Sequence, residues 1–360
     1  MQRLFLISAC AAVLSGCGQG ADKASGGAAS GVSGNSSSRT VWAAGSSTVF
    51  PFATRVAETV GRTTGGSAAK VESLGTGGGI KLFCGGAGSN FPDVANASRR
   101  MKASEFEACA KNGVGEIVEI KIGYDGIVVA NAKTAPTYAL KLEHLHRALA
   151  GELPAGAGFA ANTAATWSAV DASLPAQRIL VYGPPPTSGT RDAFVELALE
   201  KGGAKLPALA ALKSSDENAF KSKTHTLRKD GAWVDAGEND NAMVQTLEKT
   251  PGALGVFGYS FLENNMDKVK AATIDGVAPT LANISSGEYP LSRSLYIYVK
   301  KANVGVTPGL REFVAGFVSD AAIGKGGYLI QRGLIPLPAA EHAAQKAAVT
   351  AMTPMAAPTS

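Results

Sequence analysis

The sequence contains few charged residues and few of the side chains that usually build metal sites. Of the 360 residues, 18% are charged, and the net charge is only +5. An average soluble protein has roughly 25% charged residues. Lysine and arginine form no continuous run, which argues against nucleic acid as a partner. Because 45% of the residues are apolar, we expect a globular protein with a large core, and we expect no cofactor.

Motifs that would identify an enzyme are also missing. The sequence has no nucleotide P-loop of the form G-x-x-x-x-G-K-[S/T], and Ser188 lies in "TSGT" rather than in a G-x-S-x-G nucleophile elbow. The four histidines match no zinc spacing with the cysteines, and the carboxylates form no metal-binding cluster. We therefore expect the protein not to be an enzyme, although a histidine distant in sequence could still approach Ser188.

The first 39 residues have the pattern of an exported chain. Arg3 precedes an apolar run that is too short to span a bilayer, and the run ends in "LSGC" at Cys17. This ending resembles the lipobox of bacterial lipoproteins. We predict a lipoprotein signal peptide over residues 1–16, then a lipidated Cys17 and a flexible Gly/Ser linker over residues 17–39. The alternative is a plain signal peptide with a chance cysteine.

Export has two consequences for the rest of the chain. The protein should lie in the periplasm and touch a membrane only through its lipid. Gly18 stands where an inner-membrane retention aspartate would be, which favours the outer membrane. In an oxidising compartment the remaining pair, Cys84 and Cys109, predicts a disulfide, with two buried thiols as the alternative.

The body of the chain alternates β-branched segments with amphipathic helices, which favours an α/β fold. The segment "ASEFEACAKNG" predicts a helix with Ser104 as its N-cap, Glu107 completing a capping box, and a stop at Asn112. The β-rich run "EIVEIKIGYDGIVVAN" is interrupted by Gly123 and suits a crossing between two domains. The Ala-rich C-terminus should be a loosely held tail.

Four loops share a composition of glycine and hydroxyl residues, and each precedes a helix or a helix-like segment. At a helix N-terminus the unpaired backbone N–H groups and the macrodipole favour an anion. One such loop would be an ordinary helix cap, but four together predict neutral donors around one compact oxyanion. The loops are "GSST" (45–48, the first loop), "GTGGG" (75–79, the second), "NASRR" (96–100, the third) and "TSGTR" (187–191, the fourth).

Charged residues in or near these loops could add to the site. Arg99 and Arg191 could each bind an oxyanion, with a surface ion pair as the alternative for either. Asp125, in "GYDG", could accept a hydrogen bond from the ligand or serve as a partner for an arginine. We favour the partner role.

A series of motifs also runs in a defined order from about residue 40 to residue 338. They are "AAGSSTVFPFA", "GTGGGIK", "DVANASRRMK", "GYDGIVV", "SGTRDAF", "PGALGVFGYSFL", "YPLSRSLYIYV" and "GYLIQRGLIPLP". Their order and spacing resemble those of the phosphate-binding proteins of bacterial phosphate ABC importers. The resemblance implies a type II periplasmic binding protein fold, with two α/β lobes joined by a two-strand hinge. It implies the boundaries 40–125 and 291–338 for lobe 1, 126–290 for lobe 2, and 339–360 for an Ala-rich C-terminal tail.

The same resemblance implies the ligands of phosphate. In the best-known branch an aspartate follows the serine of the third loop and accepts the proton of monohydrogen phosphate, but here Arg99 holds that place. That branch also has an arginine upstream of its fourth loop, at a position held here by the proline run near Pro184. We expect Arg99 and Arg191 to replace this missing aspartate and arginine. The other implied ligands are Ser46, Ser47, Thr48, Thr76, Gly77, Ser98, Ser188, Gly189 and Thr190.

The predicted function is therefore the reversible capture of inorganic phosphate by lobe closure. The protein, as a monomer, would deliver phosphate to the permease subunits of a phosphate ABC importer. The alternatives are a binder of sulfate or another oxyanion, and a secreted phosphatase that uses the same hydroxyl groups.

Overall fold

The structure is a computed structural model that describes residues 40–66, 68–237 and 239–359. The predicted signal peptide, the predicted linker and Cys17 lie outside the described residues. None of the helices in these described ranges is long and apolar enough to cross a membrane. The strands, in chain order, are β1 (Trp42–Gly45), β2 (Lys70–Ser73), β3 (Val94–Ala97), β4 (Ile117–Ala132), β5 (Ala139–Leu140), β6 (Glu152–Ala155), β7 (Gly158–Ala161), β8 (Val181–Gly183), β9 (Trp233–Asp235), β10 (Leu254–Gly258), β11 (Val269–Ala271), β12 (Thr273–Ile274) and β13 (Ser292–Lys300).

The helices alternate with these strands, as the sequence predicted. One helical run is continuous, because α6 passes through a π-helical turn at Val195–Glu200 into α7. Short 3₁₀ turns lie at Lys301–Asn303 and Ile330–Arg332. The α-helices are α1 (Phe50–Thr64), α2 (Gly75–Phe83), α3 (Ala103–Lys111), α4 (Leu142–Leu149), α5 (Trp167–Val170), α6 (Gly189–Phe194), α7 (Lys201–Gly203), α8 (Pro207–Ser215), α9 (Glu217–His225), α10 (Asp240–Lys249), α11 (Tyr259–Glu263), α12 (Leu281–Ser286), α13 (Leu310–Phe317), α14 (Asp320–Ile323) and α15 (Ala339–Ala351).

A nine-stranded mixed sheet connects the two halves of the described chain. Its order is β2–β1–β3–β13–β4–β10–β8–β9, with β11 also paired to β4. The strands β1, β2 and β3 are parallel at one end, and β10, β8 and β9 are parallel at the other. Between them, β4 pairs antiparallel with β13 through its first part and with β10 and β11 through its second part. The long β-rich run is therefore one strand common to both halves.

The register of the sheet directs both sets of parallel strands toward one place. At one end β3 finishes at Ala97, opposite Tyr296 of β13. At the other end β10 finishes at Gly258, opposite Ile127 of β4. Because β13 begins beside the same part of β4, with Ser292 opposite Gly126, the carboxyl ends of both sets face the middle of β4. Loops that follow these strands are thus brought to a common region.

The core forms because both faces of the sheet are covered by helices. Residues Ile127 to Ala130 of β4 are fully buried, as expected for a central strand with helices on both faces. The aromatic pair Phe313 and Phe317 of α13 packs edge to face in the same core cluster. On the other half, Phe194 of α6 stacks on Trp233 of β9. Both helices bury an apolar face, as the amphipathic pattern predicted.

The start of α3 differs from the prediction. Its N-cap is Lys102 rather than Ser104, and Glu105 rather than Glu107 accepts the hydrogen bond from the Lys102 backbone N–H, at 2.9 Å. The helix begins earlier because Glu105 holds both the cap and a neighbouring arginine. Its predicted end is correct, since Asn112 is the C-cap and the next glycine has a φ of +78°.

The Ala-rich C-terminus is not a loose tail. Helix α15 lies against β4, where the backbone N–H of Lys121 donates to Gln345 (3.0 Å) and the hydroxyl of Tyr124 donates to Glu341 (2.9 Å). Beyond the helix, the N–H of Met355 donates to the carbonyl of Ile117 (2.8 Å). Composition alone did not reveal these contacts, because alanine packs closely without giving a strong apolar period.

Candidate functional site

The first three loops meet at the carboxyl ends of β1, β2 and β3. The backbone N–H of Ser46 donates to the carbonyl of Asn96 (2.9 Å), and the N–H of Leu74 donates to the carbonyl of Gly45 (2.8 Å). Helix α2 approaches so closely that a Cβ on Gly79 would lie 2.2 Å from the Cα of Gly45. This glycine-rich helix start therefore allows the second loop to pack directly on the first.

A hydroxyl pair joins the second loop to the third. The oxygens of Thr76 and Ser98 lie 3.0 Å apart, and the backbone N–H of Ser98 donates to the Thr76 hydroxyl (3.1 Å). Ser98 is buried, whereas the neighbouring Gly77 is exposed. The structure thus brings Thr76 and Ser98 into contact, and Gly77 directly follows Thr76 in the second loop.

The fourth loop joins the same group through the first. The hydroxyl of Thr48 donates to the carbonyl of Gly189 (3.3 Å), and a Cβ on Gly189 would lie 2.8 Å from the carbonyl oxygen of Ser47. Ser188 is the N-cap of α6, where its hydroxyl accepts the N–H of Thr190 (3.2 Å). The N-terminal ends of α1 and α6 therefore meet, and both ends favour negative charge.

Most hydroxyls in this group lie below the surface. Ser46, Thr48, Ser98 and Ser188 are all buried. A buried hydroxyl is costly unless it has a hydrogen-bond partner. A compact oxyanion could satisfy several of these donors at once.

Arg99 lies near the second loop but is held by another residue. Its two terminal nitrogens donate to the two carboxylate oxygens of Glu105, at 2.9 and 2.7 Å. The hydrogen bond with Glu105 raises the pKa of Arg99. Its Nη2 would lie 3.9 Å from a Cβ on Gly77. Arg99 thus brings positive charge beside the second loop, while its two terminal nitrogens are directed at Glu105.

Arg191 is not brought to the loop hydroxyls. Its Nη1 donates to Asp235 (2.9 Å) and to the carbonyl of Pro184 (3.1 Å), and its guanidinium lies 4.5 Å from the ring centre of Trp233. The side chain therefore faces the strand β9. It stabilises the proline run rather than replacing the arginine that the resemblance expected there.

Asp125 has an arginine partner, as favoured from the sequence, and that partner is Arg293. The two residues are directly opposite each other on β4 and β13, with 3.4 Å between Asp125 Oδ2 and Arg293 Nε. Burial raises the pKa of Asp125, and the positive charge of Arg293 acts in the opposite direction. The pair lies at the middle of β4, toward which the loops are directed.

Three charged residues at this place were missed in the sequence. Arg293 donates to Thr48 (2.6 Å) and to Glu196 (2.5 Å), and Asp192 accepts a hydrogen bond from Ser47 (2.6 Å). The signal for Arg293 was its place in "YPLSRSLYIYV", where a cation stands at the start of an apolar strand. Among the residues that the structure covers, no group of His, Cys, Asp and Glu could hold a metal ion.

The predicted disulfide is present and lies behind the second and third loops. Cys84 and Cys109 are bonded. Cys84 is the C-cap of α2, and Cys109 lies in the last turn of α3. The bond therefore joins two helices whose opposite ends carry Thr76 and Glu105.

Two α/β halves that share the strand β4, with hydroxyl-rich loops directed at its middle, define the two-lobed class with the type II periplasmic binding protein fold, as predicted. The chain belongs to the PBP superfamily, because the family model described as a PBP superfamily domain matches residues 30–321. It is 33% identical over 315 residues to Protein SphX of Synechococcus elongatus, covering 84% of this chain and 79% of that protein.

Other similar proteins have names that state a ligand. The chain is 28% identical to the phosphate-binding protein PstS of Staphylococcus saprophyticus over 308 residues, which cover 84% of this chain and 82% of that one. A crystal structure described as a possible phosphate binding protein from Planctomyces limnophilus superposes with a TM-score of 0.70 and 28% identity. It covers 87% of this chain and 98% of its own.

Proposed function

We propose that the protein binds inorganic phosphate reversibly between its two lobes and delivers it to the permease subunits of a phosphate ABC importer. The observation that carries the proposal is the connection of all four hydroxyl-rich loops where two helix N-termini meet. The relatives named phosphate-binding protein and possible phosphate binding protein support the same ligand.

The proposed mechanism is closure of lobe 1 (40–125 and 291–338) on lobe 2 (126–290). Each lobe would supply part of the donors, so phosphate would stabilise the closed arrangement by contacts that it makes only there. The contact of Thr48 with Gly189 supports this division, because it joins residues on the two sides of the proposed boundary. Strands β4 and β13 would form the hinge.

The proposed ligands are the hydroxyl and backbone donors of the four loops. Arg99 would add positive charge near the ligand without donating two hydrogen bonds to it, because its guanidinium binds Glu105. Asp125 would hold Arg293 in position, and Arg191 would stabilise the proline run. The residues proposed to contact phosphate directly are Ser46, Ser47, Thr48, Thr76, Gly77, Ser98, Ser188, Gly189 and Thr190.

We further propose that the protein is an exported periplasmic monomer, held to a membrane through lipid on Cys17. Glycine at position 18, in place of an inner-membrane retention aspartate, favours the outer membrane. No catalysis is proposed, since the named relatives are binding proteins rather than enzymes.

Calorimetry of ligand-stripped protein with phosphate and with sulfate tests the ligand. We expect one phosphate per chain and weaker sulfate binding. Ser188→Ala should weaken phosphate binding about 10-fold, since a hydrogen bond to an anion is lost. Ser319→Ala removes an equivalent N-cap from α14, far along the chain, and is the matched control.

Each other outcome decides between the alternatives. Tighter binding of sulfate than of phosphate would favour the sulfate binder, and binding of neither anion would refute the proposal. Release of phosphate from a monoester that disappears in Ser188→Ala, and is absent from a mock purification, would support the phosphatase.

A further inference from the structure

We propose that Arg293 is the arginine that contacts the bound anion, and that Asp125 and Glu196 hold its guanidinium in position. This inference rests on the proposed phosphate site and assigns its principal cation. Neither the loop motifs nor the resemblance assigned this residue a role, and it comes from a strand rather than from a loop.

Arg293 lies beside the middle of β4, the strand that the two halves of the sheet share. It is the second residue of β13, and its backbone is paired with Asp125 of β4 at the middle of the sheet. The carboxyl ends of both parallel strand sets are directed to this place. A side chain that starts here can therefore reach loops from both lobes.

The guanidinium is held on three sides. Its Nε faces Asp125 Oδ2 at 3.4 Å, its Nη1 donates to Glu196 Oε2 at 2.5 Å, and its Nη2 donates to the Thr48 hydroxyl at 2.6 Å. Only 9% of the side chain is exposed. An arginine fixed in this way loses little conformational entropy when it binds a ligand, because its rotamer is already set.

The contact with Thr48 points the guanidinium at the proposed anion site. The Thr48 hydroxyl also donates to the carbonyl of Gly189, so Arg293 touches the residue at which the first and fourth loops meet. A phosphate oxygen bound at these helix N-termini would lie beside Nη2. The planar donors of arginine match two oxygens of such an anion.

The two arginines that the sequence suggested are directed elsewhere. Arg99 uses both terminal nitrogens on Glu105, and Arg191 donates to Asp235 and lies over Trp233. Neither donates to the hydroxyls of the other loops among the described residues. Arg293 is thus the arginine whose donor contacts a loop hydroxyl directly.

The two carboxylates have different places around Arg293. Asp125 is only 17% exposed and lies at the base of the side chain, whereas Glu196 is 49% exposed and comes from the helical run that follows the fourth loop. The charge of Glu196 also acts on Arg99, whose pKa is raised chiefly by Glu105. Glu196 therefore interacts with both Arg293 and Arg99, whereas Asp125 acts as a positioning residue for Arg293 on the neighbouring strand.

Phosphate titrations of the full exported chain test the assignment. Arg293→Gln should weaken phosphate binding about 10- to 150-fold, the range for loss of a hydrogen bond to a charged group. Arg293→Lys keeps the positive charge but loses the paired guanidinium donors, so its phosphate affinity should lie between those of the wild type and Arg293→Gln. Arg228→Lys is the matched control, since Arg228 is also buried and paired with an aspartate, Asp230, away from the loops.

A double-mutant cycle separates a positioning role from a structural one. Asp125→Asn should weaken phosphate binding in the wild-type background and change it little in Arg293→Gln. Thermal unfolding of each variant reports whether it folds, and Arg293→Lys carries the test if Arg293→Gln does not fold. Equal losses in both backgrounds would exclude positioning through Arg293.

The outcomes remain distinct from those of the proposed function. If the wild type binds phosphate and folded Arg293→Gln and Arg293→Lys bind within about threefold of it, the assignment is overturned while phosphate binding stands. If the wild type binds no phosphate, both proposals are refuted.

Discussion

The hydroxyl of Ser47 donates a 2.6 Å hydrogen bond to Oδ2 of Asp192, and so links the first loop to the first turn of the helix that follows the fourth loop. The carboxylate of Asp192 is exposed, and its bond to Ser47 places it at the edge of the proposed anion site. Arg99 occupies the position where the best-known branch has its proton acceptor, so Asp192 is a candidate for that acceptor.

We therefore expect Asp192→Asn to reduce the preference for phosphate over sulfate by about 10-fold or more. Monohydrogen phosphate can donate its proton to a carboxylate, whereas sulfate has no proton and is repelled. Competition calorimetry with both anions measures the ratio. Asp267→Asn, in an exposed turn, is the control, and an unchanged ratio in Asp192→Asn would assign the acceptor elsewhere.

Gly189→Ala should weaken phosphate binding about 10-fold or more. The added Cβ would lie 2.8 Å from the Ser47 carbonyl oxygen and 2.9 Å from the Thr48 Cα, and neither is the end of a flexible side chain. The two loops would have to separate, at the cost expected for overpacking. Gly158→Ala is the control because its Cβ meets open space, and equal affinities for the two variants would contradict the close approach.

Removal of the disulfide should lower the free energy of unfolding by about 3–4 kcal/mol, the value expected for the chain it closes. Cys84 and Cys109 are 25 positions apart and join α2 to α3 behind two of the loops. Urea unfolding of the Cys84→Ser, Cys109→Ser double variant gives the change in midpoint. An unchanged midpoint would show that packing alone fixes these helices.

His146 should make the protein less stable in acid. Burial lowers the pKa of His146 from 6.5 to about 4, while its Nδ1 is paired with the Leu199 carbonyl. The unfolded chain therefore binds the proton first, and stability is lost as the pH falls from 6.5 toward 4, by up to about 3 kcal/mol.

His146→Asn can keep a hydrogen bond to the Leu199 carbonyl but does not titrate, so it should flatten this part of the pH dependence. Urea unfolding at a series of pH values measures the slope. His225→Asn, at a partly exposed histidine paired with Glu200, is the control. The same slope in His146→Asn and wild type would rule out the assignment.

Local patterns in the sequence predicted much of the fold. The β-branched runs became strands, and each of the four loops contains or precedes the start of a helix. The cysteine pair was predicted from export alone. These features depend on neighbours within a few positions, and for that reason they can be read from one sequence.

The errors concern partners that are distant in the chain. Arg293 and Thr48 are 245 positions apart, and nothing near either residue indicates the contact. Arg191 follows the fourth loop directly, yet its side chain turns to Trp233. Ser104 resembled an N-cap, but Glu105 stabilises a helix start two residues earlier by accepting the backbone N–H of Lys102. Side-chain direction depends on the assembled sheet.

The shared strands have a mechanical consequence for the proposed closure. Arg293 lies on β13, beside the axis about which the lobes would turn, so its charge would move least while the hydroxyls of Thr48 and Ser188 travel with their lobes. The arginine would then attract the anion equally well whether the lobes are open or closed. Arrival of phosphate would depend mainly on that fixed charge, and its retention on the moving hydroxyls.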